Sequence, residues 1–270
     1  MKTKIVRTML ALACSVSLLM AQAKQPKPKS QKEIDALTAV QNATTPDAKI
    51  EAIENVLTKF ADTEFKPVLL QMASAVEQEK GDWDKMVVYA ERTLDANPKD
   101  YVAMLMLADY YSSRTREHDL DKEEKLTRAD KYSNDALAAL KTADKLRPDI
   151  TDEQWTSLRK DFISQAHAAL GATAALRKKY DVAMVEYKTA VDGAGTPSGE
   201  MMVRAASMYT DAHKYDESIA LLDRTIALPD VHPTTKQVAA QEKTRAQRLK
   251  AAGGSGAAPA AAVPQVEIKK

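Results

Sequence analysis

The chain has 270 residues, of which 44% are hydrophobic and 29% are charged, and its 39 basic residues nearly balance 38 acidic ones. This composition is that of a soluble folded protein, long enough for one extended repeat array or two small domains. The balanced charge argues against a nucleic-acid-binding surface, and the scarcity of glycine and of β-branched runs favours an all-helical fold.

The first 23 residues have the pattern of a secretory signal peptide. Lys2, Lys4 and Arg7 form a basic start, residues 8–20 are largely apolar, and Ala21-Gln22-Ala23 places small residues where a signal peptidase cleaves. The apolar run is short for a bilayer-spanning helix. We therefore expect an exported protein, periplasmic or secreted, with no membrane-spanning segment in the mature chain.

Cys14, the single cysteine, leaves an alternative open. Ala11-Leu12-Ala13-Cys14 resembles a lipoprotein box, although the leucine stands two rather than three residues before the cysteine. Cleavage after Ala23 would leave a mature chain without a thiol and with 36 basic against 38 acidic residues. Lipidation of Cys14 would instead anchor the protein in the envelope.

The apolar periodicity of the rest of the chain predicts eleven helices. Thr45-Pro46-Asp47 predicts a cap before the second helix, and Thr151-Asp152-Glu153-Gln154 predicts a capping box at the start of a long one. The predicted helices are 31–43, 47–60, 64–80, 83–96, 101–115, 122–145, 152–177, 180–192, 199–212, 215–228 and 234–250.

Three segments of the chain align with one another as internal repeats. Gly81-Asp82-Trp83-Asp84, Lys178-Lys179-Tyr180-Asp181 and His213-Lys214-Tyr215-Asp216 each place an aromatic residue before an aspartate. A small or apolar residue follows the aromatic one by three positions, and a second residue stands twelve positions upstream of it. These two columns hold Ser74 and Met86, Gly171 and Ala183, and Ala206 and Ser218. The last two copies are offset by 35 residues, close to the 34 of a known helical repeat.

The pattern resembles the tetratricopeptide repeat (TPR) family over residues 67–230. The best copy matches at Leu170-Gly171, Tyr180, Ala183 and Ala190, and Asn97-Pro98 closes the copy at 67–100. This resemblance implies a right-handed superhelical solenoid of about five antiparallel helix pairs, with a polar helix capping its C-terminal end. It also implies that the aromatic and small residues of the motif pack the repeats together: Trp83, Met86, Gly171, Tyr180, Ala183, Ala190, Tyr215 and Ser218.

The resulting domain plan has a repeat domain between two short terminal segments. Residues 1–23 are the signal peptide, 24–30 a flexible linker, 31–250 the repeat domain, and 251–270 an Ala/Pro/Gly-rich tail whose composition predicts disorder. Within the domain we expect a degenerate pair at 31–63, copies near 67–100, 101–141, 164–197 and 199–232, and a capping helix at 234–250. The copy at 101–141 contains an insertion around residues 116–121.

The family resemblance also indicates where a partner would bind. In TPR proteins the first helix of each pair lines a concave surface that contacts peptides or proteins. The positions of this chain that match are Gln71, Ala75, Gln78, Leu105, Asp109, Ser112, Ala168, Ala172, Val203, Ser207 and Thr210.

No catalytic, cofactor or metal site is predicted. The four histidines (His118, His167, His213 and His232) match no metal-ligand spacing, and there is no phosphate-binding loop, nucleophile elbow or dinucleotide fingerprint. The sequence therefore favours a non-enzymatic scaffold that binds a protein or peptide. An envelope structural or assembly component is the alternative, and an enzyme or a small-molecule-binding protein is favoured least.

Overall fold

A computed structural model describes residues 26–146 and 149–253, and these residues form eleven α-helices and no β-strand. The order and number of the helices agree with the sequence prediction. The helices are α1 (Gln31–Asn42), α2 (Pro46–Lys59), α3 (Lys66–Lys80), α4 (Trp83–Ala96), α5 (Tyr101–Arg114), α6 (Lys122–Leu140), α7 (Asp152–Leu176), α8 (Tyr180–Gly193), α9 (Gly199–Asp211), α10 (Tyr215–Ala227) and α11 (Pro233–Ala251). The signal peptide, Cys14 and most of the predicted tail lie outside the described residues.

The chain divides into two compact units, the first ending at Tyr110 and the second beginning at Tyr111. In the first unit, consecutive helices from α1 to α4 pack against one another. The apolar face predicted for α2 is confirmed, since Ile53 is buried and Ile50, Leu57 and Phe60 pack beside it. The remaining buried members of this core are Val40, Val56, Leu69, Leu70, Ala73 and Tyr89.

The start of the described chain is bonded to the turn between α2 and α3. The Lys27 amide donates to Glu64, and the Lys29 ammonium group donates to the carbonyl and the carboxylate of Asp62. The buried carboxylate of Glu33 accepts from the Lys29 amide at 2.6 Å and from the Thr63 hydroxyl at 2.6 Å. A buried carboxylate needs such donors because it has lost its hydration. Part of the predicted linker 24–30 is thus hydrogen-bonded to the helical domain.

In the second unit, α7 to α10 form two helix pairs that contact each other. α7 packs against α8, α9 against α10, and α7 also contacts α9, while α11 covers both α9 and α10. The predicted capping box at the start of α7 is confirmed: the Thr151 hydroxyl accepts from the Gln154 amide, and the Gln154 side chain accepts from the Thr151 amide.

The prediction that α6 extends to residue 145 is wrong, because the helix ends at Leu140. The Arg159 guanidinium, from α7, donates to the carbonyls of Leu140 and Lys141 at 2.7 and 3.0 Å. Carbonyls at a helix C-terminus lack intrahelical donors, so a cation placed there stabilises the end of the helix. Because Arg159 lies on another helix, the sequence around the end of α6 contains no signal for this cap.

Candidate interaction surfaces

The two columns of residues twelve positions apart face each other within helix pairs. In α3–α4 the Ser74 hydroxyl donates to the Met86 carbonyl at 2.9 Å, and in α9–α10 the Ser218 hydroxyl donates to the Ala206 carbonyl at 2.8 Å. All four residues are fully buried. Direct bonds from a short side chain to a backbone carbonyl of the neighbouring helix require close backbone approach.

In the pair α7–α8, Gly171 occupies the position that Ser74 and Ala206 hold in the other two pairs. A Cβ atom at this position would lie 2.8 Å from the Tyr187 ring, which is inside van der Waals contact. Ala183 and Ala190 on α8 are fully buried, and the Ala190 carbonyl accepts from the Ser164 hydroxyl at 2.6 Å. The small residues of this pair therefore leave space for a tyrosine between the helices.

The three aromatic residues of the repeat motif lie at the edges of the core. Trp83 and Tyr180 are half-buried; the Trp83 ring stacks on Tyr110 with centroids 6.5 Å apart, and Tyr180 packs beside the apolar cluster around Tyr187. Tyr215 is half-buried as well, and its hydroxyl lies 2.7 Å from the Nδ1 atom of His213.

In the first unit, the predicted binding positions are placed unequally. Gln71, Ala75, Gln78 and Asp109 are partly exposed, and the side-chain amide of Gln71 donates to the Asp100 carboxylate at 3.0 Å. Leu105 is buried at 5% exposure. Its inclusion in the partner-binding surface is therefore corrected: its side chain packs in the core.

In the second unit, Ser112 and Thr210 are also buried, at 5% and 1% exposure, so they too are corrected. The Thr210 hydroxyl donates to the Ala206 carbonyl and also forms a hydrogen bond with the Ser218 hydroxyl. The family pattern predicts which helix carries these positions, but not the local rotation of its faces.

Four predicted positions of the second unit stay partly exposed: Ala168, Ala172, Val203 and Ser207. They form one i, i+4 pair on α7 and one on α9, and these two helices are in contact. We name these four residues the first-helix surface. Their binding role stays a prediction.

His167 bridges the helices of the α7–α8 pair. Its Nδ1 atom lies 2.7 Å from the Glu186 carboxylate, and both side chains are about a quarter exposed, at 23% and 24%. Within residues 26–146 and 149–253, no three side chains of histidine, cysteine, aspartate or glutamate are grouped so that they could hold a metal ion. Over the same residues, no helix has both the length and the apolarity needed to cross a membrane.

Sequence reasoning missed an open groove of about 480 Å³ between α8 and α10. Tyr209, Met184, Val191 and Leu221 line its inner part and are half-buried. Val185 lines it at 64% exposure. A signal did exist in the sequence, since Val185 lies outside the packing columns of α8, and an apolar residue there has no role in the helix pair.

Comparisons with known proteins support the fold. No family model matches the sequence, and no curated protein matches it. A thermophilic TPR protein of Thermus thermophilus has a similar structure, with a TM-score of 0.53 and 15% identity over 78% of this chain and 95% of that one. A tetratricopeptide repeat protein of Parabacteroides merdae aligns over 78% of this chain and 96% of that one, with 11% identity and a TM-score of 0.31. The similarity to the Thermus thermophilus protein, together with the helix pairs, shows that the chain has a TPR-like fold.

Proposed function

We propose that the protein is an exported, non-catalytic scaffold that binds a protein or peptide through the first-helix surface. The contact between α7 and α9 is the observation that carries the proposal, because these two helices carry the partly exposed pairs Ala168–Ala172 and Val203–Ser207. Small, partly exposed side chains on adjacent helices let a partner backbone approach closely. The TPR-like fold makes this use of the surface reasonable, although a fold alone does not assign a function.

Binding is tested with the mature chain, residues 24–270, immobilised and exposed to an envelope extract. We expect at least one partner whose binding saturates at a micromolar concentration of the immobilised chain. Ala172→Arg and Ser207→Arg are expected to weaken its binding about tenfold, because a long charged side chain would stand between the partner and the helix pair. Ala138→Arg is the matched control, because Ala138 is exposed on α6 and outside this surface. Absence of any saturable partner, or equal loss in the control, would contradict the proposal.

Export is proposed from the signal-peptide pattern and is tested by mass spectrometry of the mature N-terminus. Cleavage after Ala23 would leave the bonds described for the N-terminal segment intact, since among the residues that the structure describes the first of them comes from Lys27. We expect a chain that starts at Lys24. A chain that starts at a lipidated Cys14 would favour the alternative of an anchored envelope component, and an uncleaved cytoplasmic chain would contradict export. A metal or cofactor that copurifies stoichiometrically would reopen the enzyme alternative.

A further inference from the structure

The groove between the second helices α8 and α10 lies outside the first-helix surface. We propose that it binds an extended peptide segment in which one acidic side chain is flanked by apolar side chains. It would give the protein a second docking surface, on helices for which the family resemblance implies no binding role.

The apolar lining of the groove sets the first requirement on a partner. Met184, Val191 and Leu221 each present part of an apolar side chain to the groove. Val185 stands 64% exposed beside them. Scattered exposed valines are ordinary, but one that borders an apolar depression with charged residues around it has the composition of an interaction site. Apolar partner side chains would remove this surface from water.

The charges around the groove set the second requirement. Asp192 forms an ion pair with Lys188, and Arg224 lies 3.9 Å from the same carboxylate. One carboxylate is thus shared by two cations, and the lining also includes Lys214 and Glu217. The groove therefore carries three cations against two carboxylates, which leaves one net positive charge. Arg224 is half exposed and can turn towards an incoming group. A carboxylate from a partner would meet it as an ion pair, whereas a basic partner would face like charge.

Tyr209 supplies a polar group inside the groove. Its side chain is half-buried, and burial raises the pKa of its phenol, so the hydroxyl remains a donor at neutral pH. Within the part of the chain that the structure describes, no group accepts a hydrogen bond from it. A peptide carbonyl lying along the groove would accept this bond, which favours an extended segment with free backbone groups over a helix.

The test is a selection of displayed random decapeptides on the mature chain, residues 24–270. The enriched peptides are then made with acetylated and amidated ends and titrated by fluorescence anisotropy. We expect them to share an aspartate or glutamate between aliphatic or aromatic residues. Blocked ends ensure that the carboxylate comes from a side chain. Replacement of that residue by its amide should weaken binding about threefold, as expected for an exposed ion pair.

Two protein variants locate the binding on the groove. Val185→Asp should raise the Kd about tenfold or more, and Arg224→Gln about threefold. Val182→Asp is a matched control, because Val182 is 51% exposed on the same helix but does not line the groove. Arg248→Gln on α11 is the control for charge. Both controls should leave the Kd within about twofold, and far-UV circular dichroism verifies that each variant is folded.

Several outcomes would overturn the inference. Enriched peptides that are basic, or whose Kd changes equally in Val182→Asp and Val185→Asp, would exclude the proposed recognition. Peptides that depend on Ala172 and not on Val185 would place binding on the first-helix surface alone and leave the proposed function standing. A chain shortened to end at Ala252 that binds about tenfold more tightly would show that the protein's own C-terminal segment fills the groove. A dimer that dissociates on Val185→Asp would show that a second copy fills it.

Discussion

The helix pairs α3–α4 and α9–α10 use the same hydrogen bond in opposite directions. In α3–α4 the hydroxyl is on the first helix, where Ser74 donates to the Met86 carbonyl. In α9–α10 it is on the second helix, where Ser218 donates to the Ala206 carbonyl. The two columns thus act together: in each of these two pairs one short polar side chain lies between close backbones, and either helix can supply it. The pair α7–α8 meets the same close approach with Gly171 and Ala183 instead.

Gly171→Val would test the close approach most severely. The new side chain would overlap the buried Tyr187 ring, which lies 2.8 Å from the position of a Cβ atom. Overpacking of this kind should lower the free energy of unfolding by about 3 kcal/mol, measured by urea denaturation. Gly193→Ala is the control, because no atom beyond its chain neighbours and its own helix backbone lies within 4 Å of its Cβ position. It should be neutral or slightly stabilising; an equal loss in both would mean that α7 and α8 are not closely packed.

Arg245→Gln would test how α11, the helix that covers the pair α9–α10, stabilises that pair. Arg245 on α11 pairs with Asp211 of α9 and with Glu242, whose side chain is only 7% exposed. Without the guanidinium, the Glu242 carboxylate is left buried beside a neutral group, so we expect a loss of about 2 kcal/mol. Lys250→Gln removes only an exposed pair to Asp216 and should leave the urea midpoint unchanged. A midpoint for Arg245→Gln equal to wild type would contradict this role for α11.

Ser74→Ala should have a smaller effect, about 1 kcal/mol, because it removes a single neutral hydrogen bond. Ser218→Ala should cost less, about 0.5 kcal/mol. Its Ala206 carbonyl keeps the Thr210 hydroxyl as a donor at 3.1 Å. Differential scanning calorimetry of the two variants shows which one loses more stability. A larger loss in Ser218→Ala would show that the Ser218–Thr210 contact matters more than the bond between the helices.

Much of the fold was predictable because its determinants are local or periodic. The side chain of Thr45 caps α2 and Thr151 caps α7 within three residues of the helix start, as the sequence predicted. The spacing of twelve residues identified facing columns because close packing admits few residue types there. The end of α6 was not predictable in this way, since Arg159, nineteen residues further on, supplies the donors.

The candidate surfaces were predicted less well. Repeat position alone predicts a binding surface at Leu105, Ser112 and Thr210, yet the rotation of each helix buries them. The groove between α8 and α10 depends on how two helices from different repeats are placed on either side of Tyr209 on α9. A pattern within one repeat can mark Val185 as an exposed apolar position, but it does not show which other helix faces that position.

The most direct test of the paired columns is to move the hydroxyl from one helix to the other. Ala206→Ser combined with Ser218→Ala gives α9–α10 the arrangement of α3–α4. In a double-mutant cycle by urea denaturation, we expect the double variant to regain most of the stability that Ser218→Ala loses, with a coupling of about 0.5 kcal/mol or more. Strictly additive effects, with the double variant no more stable than the sum of the single changes, would contradict the account.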